Sequence, residues 1–202
     1  MTNRFWEQLQ PLFEDLDTSG GINGYSVDSL CRVMPARDLF SKKYSWTITD
    51  PATVDFVVNN AHSSVVDPMA GTGWWGYLLQ QAGVVVYSYD RNPYPKNHWH
   101  SHEPHTFVTR RNCTRSVQQH PESTLLLSWP PYKTDDGYNA VKKYAGHRII
   151  YIGEEQGGCT GNDAMFTELQ QWNLVAEHRP VRWPGIHDTV SVYERRRRWT
   201  LR

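Results

Sequence analysis

Residues 64–81 combine three features that ligand-binding sites of α/β proteins share. The apolar pair Val65-Val66 predicts a short buried strand, the turn Asp-Pro-Met-Ala-Gly-Thr-Gly follows at 67–73, and a helix begins at Trp74. Glycines in such a turn let the backbone approach a ligand closely, and ligands of open parallel sheets bind beyond the carboxyl ends of the strands. The segment predicts a ligand-binding turn, with a tight ligand-free turn as the alternative.

An acidic residue, Asp90, ends the next predicted strand along the chain. A carboxylate at that position accepts hydrogen bonds from both ribose hydroxyls of a nucleoside cofactor. A dinucleotide and S-adenosylmethionine both carry such a ribose. The carboxylate of Asp67 would repel a pyrophosphate, whereas it suits the ammonium group of S-adenosylmethionine. The two acidic residues together favour S-adenosylmethionine as the cofactor.

Residues 64–90 resemble motifs I and II of the class I S-adenosylmethionine-dependent methyltransferases, and the turn at 67–73 is similar to the Asp-Pro-x-Ala-Gly-x-Gly form common in amino-methyltransferases. The resemblance covers roughly 44–194. It implies an α/β, Rossmann-like methyltransferase sheet that is mostly parallel, with an antiparallel C-terminal hairpin and helices on both faces. The cofactor-binding residues that we expect from the resemblance and the spacing are Asp67, Met69, Gly71, Thr72, Gly73, Trp74, Asp90, Arg91, Asn112 and Ser128.

A second stretch, Ser128-Trp129-Pro130-Pro131-Tyr132, follows the apolar run at 125–127. It resembles motif IV of amino-methyltransferases, where Asp, Asn or Ser precedes Pro-Pro-Tyr. In that family the polar residue and a backbone carbonyl hold the target amine, and the aromatic ring stacks on a planar substrate. Here Trp129 separates Ser128 from the prolines, so either Trp129 takes the polar position or the turn is longer. Ser128, Trp129, Pro130 and Tyr132 are candidate catalytic residues, and a rigid end to a core strand is the alternative.

A glycine-rich loop at 153–162 follows a further predicted strand. Loops at this edge of a sheet often carry substrate-contacting residues. Glu154 is therefore a candidate general base, as are Tyr132 and His187, while a mobile loop with solvated glutamates is the alternative for Glu154.

These residues predict a methyltransferase that acts on an unidentified acceptor, either a nucleobase amine or another nitrogen or oxygen nucleophile. Sulfur and carbon acceptors also stay open, because the motif around Trp129 departs from the amino-methyltransferase pattern. Two other functions compete with it. One is a non-catalytic S-adenosylmethionine-binding module, and the other is a different reaction of the same cofactor, such as lyase chemistry or aminocarboxypropyl transfer.

Two clusters of nitrogen-bearing side chains suggest further ligands. His98, His100, His102 and His105 lie close together near Glu103, and histidine is a common zinc ligand, but no distal ligand pair accompanies them and we predict no metal. The run Arg195–Arg198 is typical of a solvated tail. Because the 21 basic and 21 acidic residues balance, nucleic acid is a candidate partner through this run alone.

Bulk properties constrain the location of the protein. Three cysteines without a CxxC pair disfavour a disulfide framework. The N-terminus has no apolar signal region, and no stretch reaches the ~18 apolar residues of a membrane helix. We expect a cytoplasmic protein with no membrane partner, and the oligomeric state stays open.

The predicted elements divide the chain into a helical lead-in at 1–48 and a main domain at 49–202. In the lead-in, apolar spacing predicts helices over 3–15 and over 26–43, the second interrupted near Pro35. Asp50 and Pro51 predict an N-cap and the first turn of the next helix. The main domain then alternates predicted strands with predicted helices. The strands lie at 64–67, 84–89, 106–109, 124–128, 148–152, 174–178 and 189–194, and the helices at 74–81, 138–144 and 163–172.

Overall fold

Seven strands form one sheet in the part of the chain that the computed structural model describes, residues 2–14, 16, 25–62, 64–100 and 102–196. The strands are β1 Ser64–Asp67, β2 Val85–Asp90, β3 Thr109–Arg110, β4 Thr124–Ser128, β5 Arg148–Gly153, β6 Trp172–His178 and β7 Thr189–Arg195. Their order in the sheet is β3-β2-β1-β4-β5-β7-β6. Strands β1 to β5 are parallel to one another, and β7 is antiparallel to both β5 and β6. The predicted mostly parallel sheet with an antiparallel C-terminal hairpin is confirmed.

The helices are α1 Arg4–Glu14, α2 Val27–Lys43, α3 Pro51–Asn60, α4 Trp74–Gln81, α5 Cys113–Gln119, α6 Asp136–Lys143 and α7 Asp163–Leu169. The predicted cap of α3 is confirmed, because the Asp50 side chain accepts a hydrogen bond from the Thr53 N–H and Pro51 occupies the first turn. Within the described ranges, none of these helices is both long and apolar enough to cross a membrane.

Two separate hydrophobic clusters cover the two faces of the sheet. Val65 of β1 and Leu126 of β4 belong to the first cluster, together with residues of α1 to α4. Their chain neighbours Val66 and Leu127 belong to the second cluster, together with residues of α5 to α7. Successive strand residues point to opposite faces, so a strand covered on both sides must be apolar at every position. The uninterrupted apolar runs of β1 and β4 satisfy this requirement, and the predicted helices on both faces are confirmed.

The N-terminal helices pack into the first of these clusters. Phe5 of α1 stacks on Phe40 of α2 and on Tyr44, with ring centroids 5.6 and 5.3 Å apart, and all three rings are buried. Helices α1 and α2 therefore share a core with the sheet, and the end of α2 lies close to the glycine turn. The division into a lead-in at 1–48 and a main domain at 49–202 stays a prediction.

Several predicted boundaries were wrong. Helix α2 continues through Pro35, because the buried residues Val33 and Phe40 anchor it to the core on both sides of the proline. The predicted strand at 106–109 is reduced to Thr109–Arg110, since the preceding residues pack over the glycine turn. The predicted helix at 163–172 ends at Leu169, because Trp172 pairs with Arg195 in the sheet. Helix α5 was not predicted.

Candidate functional site

The glycine turn is bonded directly to the end of β2. Gly71 has a φ of 53° and Gly73 a φ of 69°, which is the left-handed region that glycine adopts without strain. The Gly71 N–H donates to Asp90 Oδ2 at 3.1 Å, and the Asn92 N–H donates to Asp90 Oδ1 at 2.8 Å. The structure thus brings the predicted turn and the predicted ribose-binding carboxylate together. Each Asp90 oxygen keeps further lone-pair sites for a ligand.

Asp67 lies beneath the turn and is buried. The Met69 N–H donates to its Oδ1 at 3.3 Å. Burial raises the pKa of Asp67 to about 7, the Met69 hydrogen bond lowers it, and the charge of Asp90 raises it. Among the described residues no basic side chain forms an ion pair with Asp67, and the residue borders a small void of about 30 Å³. A buried carboxylate without a cation is suited to receive one from a ligand.

Two predicted cofactor residues, Thr72 and Trp74, support the turn from behind. The Thr72 hydroxyl donates to the carbonyl of Tyr44 and accepts a hydrogen bond from the Trp74 N–H at 3.2 Å. The Trp74 indole N–H donates to Thr49 Oγ1 at 3.0 Å, and both side chains are buried. They border the small void beside Asp67, so they connect the turn to the segment that follows α2.

A cavity of about 480 Å³ lies at the carboxyl ends of β1, β2 and β4, which is the size of many ligand pockets. Met69, Gly71 and Asp90 line what we call its glycine-turn side. Trp46, Trp99, Trp129 and Tyr132 line what we call its tryptophan side. Its remaining lining residues are Arg37, Pro68, Arg91, Asn92, Asn97, His98, His100, Cys113, Ser128, Pro130, Pro131, Lys133, Thr134, Asp136 and Cys159.

The predicted contacts Arg91 and Asn112 differ in their placement. The Arg91 guanidinium borders the cavity and forms an ion pair with Asp136 at the start of α6. Asn112 caps α5, because its side-chain oxygen accepts a hydrogen bond from the Arg115 N–H at 2.9 Å, and it does not border the cavity. Its neighbour Cys113 does border the cavity. A role of Asn112 in adenine binding stays a prediction.

Trp129 occupies the position directly before the two prolines in an unusual backbone conformation. Its φ is 49°, and its N–H donates to the Ile152 carbonyl at 2.8 Å. The indole ring stacks on Trp46, with centroids 5.3 Å apart and planes 18° from parallel. Trp99 meets Trp46 edge-on at 6.2 Å. Ser128 ends β4 and borders the cavity, as Trp129 does, so which of the two takes the polar position of the motif stays a prediction.

Beneath the tryptophan side lies a buried carboxylate, that of Asp188. The Trp129 indole N–H donates to its two oxygens at 3.1 and 3.0 Å, and Thr47 Oγ1 donates to Oδ2 at 2.6 Å. Burial raises the pKa of Asp188 to about 6, whereas these hydrogen bonds lower it. The Asp188 carboxylate, which also accepts from Thr47, thus holds the Trp129 indole in position.

The glycine-rich loop at 153–162 folds back on the double-proline turn. The Gly161 N–H donates to the Pro130 carbonyl at 2.7 Å, and Pro131 and Thr160 form an antiparallel bridge. The Glu154 carboxylate accepts hydrogen bonds from the N–H groups of Cys159 and His187, at 2.8 and 2.9 Å.

Glu154 is therefore engaged in holding the loop. Although its partial burial opposes the effect, the backbone hydrogen bonds from Cys159 and His187 keep the pKa of Glu154 below its ordinary value. Neither Glu154 nor His187 borders the cavity, whereas Tyr132 does. A general-base role for Glu154 stays a prediction that this placement does not favour.

The histidines at 98–105 do not converge on one point. The His100 ring lies against Gly71, close enough that an added Cβ there would stand 2.3 Å from His100 Nε2. His105 Nε2 lies 2.8 Å from the Lys43 carbonyl, and its ring stacks on Tyr44. In the ranges the structure describes, no three His, Cys, Asp or Glu side chains are grouped so as to hold a metal ion.

The basic run at the C-terminus is partly engaged in the fold. Arg195 donates to the carbonyls of Gly146 and Tyr144, at 2.7 and 2.6 Å, and Arg196 donates to the Gln170 carbonyl at 2.9 Å. Positions 197 and 198 lie outside the described residues. Contact with nucleic acid through Arg195–Arg198 stays a prediction.

Several residues of the cavity wall were not named as site residues from the sequence, among them Arg37, Trp99 and His100. Arg37 carries no sequence signal for this role, because its place depends on how α2 packs. Trp99 had a weak signal, as an aromatic residue in a polar loop beyond a strand. His100 was weighed only as one of a cluster of candidate zinc ligands. The structure places its ring against the glycine turn.

Comparison with known proteins gives a result at the level of the fold. No protein-family model matches the chain, and no curated protein matches it. The magnesium protoporphyrin IX methyltransferase of Synechocystis PCC 6803, solved with bound S-adenosylmethionine, is 12% identical over 95% of this chain and 93% of that chain, with a TM-score of 0.50. The 1,6-didemethyltoxoflavin-N1-methyltransferase of Burkholderia thailandensis, solved with 1,6-didemethyltoxoflavin and S-adenosylhomocysteine, is 13% identical over 96% and 92%, also with a TM-score of 0.50. The strand order and these two structures show that the chain has the fold of the class I S-adenosylmethionine-dependent methyltransferases.

Proposed function

We propose that this chain binds S-adenosylmethionine at the glycine-turn side of the cavity and transfers its methyl group to a nitrogen or oxygen atom of a planar acceptor at the tryptophan side. The observation that carries the proposal is the continuity of the cavity. One space of about 480 Å³ connects Asp90 and Gly71 with Trp46, Trp129 and Tyr132.

The polar groups at the glycine-turn side fit the cofactor. The carboxylate of Asp90 can accept hydrogen bonds from ribose hydroxyls in addition to those from Gly71 and Asn92. Asp67 offers a buried negative charge to an ammonium group. His100 Nδ1 is buried and has no hydrogen-bond partner among the described residues, and such groups in native structures call for a partner. The missing Cβ of Gly71 makes room for the His100 ring beside the turn.

The tryptophan side fits a flat acceptor. Large aromatic rings bind planar groups by offset or edge-on contacts at centroid distances of about 4.5–7 Å, and Trp46, Trp99 and Trp129 already show both arrangements with one another. Trp129 stands directly before the prolines and its indole N–H is engaged with Asp188, whereas Ser128 also borders the cavity. Stacking on Tyr132 supports a heteroaromatic acceptor, and a nucleobase amine held by Ser128 is one candidate of that kind.

S-adenosylmethionine, when bound, supplies a methyl group on a positively charged sulfur, which reacts readily with a nucleophile that approaches in line. The residues of this chain would contribute binding and orientation, and positioning of this kind can account for much of a rate enhancement. Any proton that the nucleophile loses would leave toward solvent.

Calorimetry with S-adenosylmethionine tests the cofactor assignment. The variant Asp90→Ala removes charge-assisted hydrogen bonds and is expected to weaken binding by about 1–3 kcal/mol. The matched control is Asp55→Ala, an exposed acidic residue on α3, which should leave affinity unchanged. Equal affinity of the wild type and the Asp90 variant would contradict the ribose assignment.

Turnover is tested separately with labelled cofactor and a panel of aromatic amines, phenols and nucleosides. Formation of S-adenosylhomocysteine together with a labelled acceptor supports methyl transfer. Formation of methylthioadenosine would instead indicate lyase or aminocarboxypropyl chemistry. Tight binding with neither product would support a non-catalytic binding module.

A further inference from the structure

A guanidinium group is held at the tryptophan side of the cavity by α2. The Arg37 Cζ atom lies 5.5 Å from the centroid of Trp46 and 5.9 Å from that of Trp129. Both distances are within the range in which an aromatic face attracts a cation. Two rings from different parts of the chain therefore fix the orientation of this side chain, and Arg37 itself borders the cavity.

Within the described part of the chain, Arg37 forms no ion pair, and its Nε is buried without a hydrogen-bond partner. The Arg37 charge lowers the pKa of Asp188 by a small amount. Burial raises that pKa and is the largest effect, and the hydrogen bonds from Thr47 and Trp129 lower it more than Arg37 does. The Asp188 oxygens, however, are engaged by those two donors. An arginine that carries five donors in a fixed fork and lacks a carboxylate partner is suited to bind an anion.

The other charges around the cavity leave this role to Arg37. The two acidic lining residues already have partners, because Asp90 accepts from Gly71 and Asp136 pairs with Arg91. Lys133 also borders the cavity, with its Nζ 5.2 Å from the Tyr132 ring centroid. The tryptophan side is thus lined by aromatic rings and positive charge, with its buried carboxylate lying below Trp129.

We propose that Arg37 binds an anionic group, a carboxylate or a phosphate, carried by a planar aromatic acceptor whose ring lies against the tryptophan side. The inference rests on the proposed function, because the same cavity has to hold the acceptor. Guanidinium and carboxylate or phosphate form two parallel hydrogen bonds, which would orient the ring as well as bind it.

Calorimetric titration of the full chain saturated with S-adenosylhomocysteine tests this inference. The probes are 2-naphthoate, its neutral analogue 2-naphthamide, and 2-naphthyl phosphate. The wild type is expected to bind 2-naphthoate or 2-naphthyl phosphate at least about tenfold more tightly than 2-naphthamide, as a hydrogen bond to a charged group provides. The tighter of the two anions identifies the anionic group.

The variant Arg37→Gln is expected to lose about tenfold or more in affinity for the anionic probe while its affinity for 2-naphthamide changes little. A purely structural role for Arg37 would weaken all three probes equally, which would overturn the inference. The matched control is Arg32→Gln on the same helix, which does not border the cavity and should bind all probes as the wild type does.

The two proposals fail in different ways. If S-adenosylhomocysteine itself does not bind, the proposed function fails, and titration of the same probes into the ligand-free chain still reads out the preference that Arg37 confers. If S-adenosylhomocysteine binds but 2-naphthoate, 2-naphthyl phosphate and 2-naphthamide bind equally, or none of them binds, the inference about Arg37 is overturned alone.

Discussion

The indole N–H of Trp129 donates to the carboxylate of Asp188, with 3.0 Å between Nε1 and Oδ2. The residue that stands before the double proline therefore directs its single side-chain donor to a carboxylate that does not line the cavity, while its ring borders the cavity and stacks on Trp46. Since the carboxylate is buried and also accepts from Thr47, the hydrogen bond fixes the plane of the ring on which an acceptor would lie.

Two substitutions of Trp129 separate its hydrogen bond from its ring. Trp129→Phe keeps the stack on Trp46 but removes the donor, so the free energy of unfolding should fall by about 1 kcal/mol in urea denaturation, while 2-naphthamide affinity is retained. Trp129→Ala removes the ring and should lower that affinity at least about tenfold. Equal probe affinities of the two variants would contradict a substrate-facing role for the ring.

The pH dependence of cofactor binding should follow Asp67. Its carboxylate must be ionised to pair with an ammonium group, and its pKa in the free protein is about 7, because burial raises it. The affinity for S-adenosylhomocysteine should therefore rise up to about tenfold per pH unit below pH 7 and level off above it. Asp67→Asn, measured by the same calorimetry, should bind weakly with no such slope, and an identical slope in both proteins would refute the assignment.

Asp67 should also make the ligand-free protein less stable at high pH. Its pKa is about 7 in the folded chain and 3.8 as the ordinary value, so the folded state binds more protons between these values. The free energy of unfolding therefore falls as pH rises from about 4 to 7. Asp67→Asn, which keeps an acceptor for the Met69 N–H, should raise the free energy of unfolding at pH 8 by about 1–3 kcal/mol and by much less at pH 4. Denaturation in urea at the two pH values is the measurement.

Gly71 and His100 should be coupled in a double-mutant cycle. Gly71→Ala would place a Cβ 2.3 Å from His100 Nε2, at a φ of 53°, and should cost about 1–3 kcal/mol of stability from overpacking, in addition to backbone strain. Adding His100→Ala should recover the overpacking part and leave about 1 kcal/mol of strain. Thermal denaturation of the four proteins gives the coupling energy, and strictly additive effects would show that the ring does not lie against Gly71.

Much of the fold was predictable because its signals are local. The apolar runs of β1 and β4, the glycines at 71 and 73 and the cap at Asp50 each act within a few residues. These features fixed the strand–turn–helix unit and the position of Asp90. The two-residue length of β3 was not predictable, because it depends on the packing of Thr106 and Val108 near Gly73, which is a contact between distant segments.

The cavity wall was less predictable than the glycine turn. Arg37 reaches the cavity because α2 passes through Pro35 and packs by Val33 and Phe40, and no spacing rule connects these residues with Trp129. The sequence left two alternatives open for Trp129. The position of its ring depends on Asp188, which lies in a loop far along the chain and accepts the indole N–H. Long-range pairings of this kind leave no periodic trace in a sequence.

The bridge between Pro131 and Thr160 has a consequence for motion. The double-proline turn is bonded to the 153–162 loop at Gly161, and Asn162 donates to the Thr134 carbonyl at 3.1 Å, so turn and loop should move as one body. Entry of an acceptor would then depend on displacement of the segment that carries Trp99, which is 47% exposed. Amide hydrogen exchange should accordingly be slow over 158–161 and fast over 96–100. The rate at which an acceptor enters should then match the rate at which 96–100 opens.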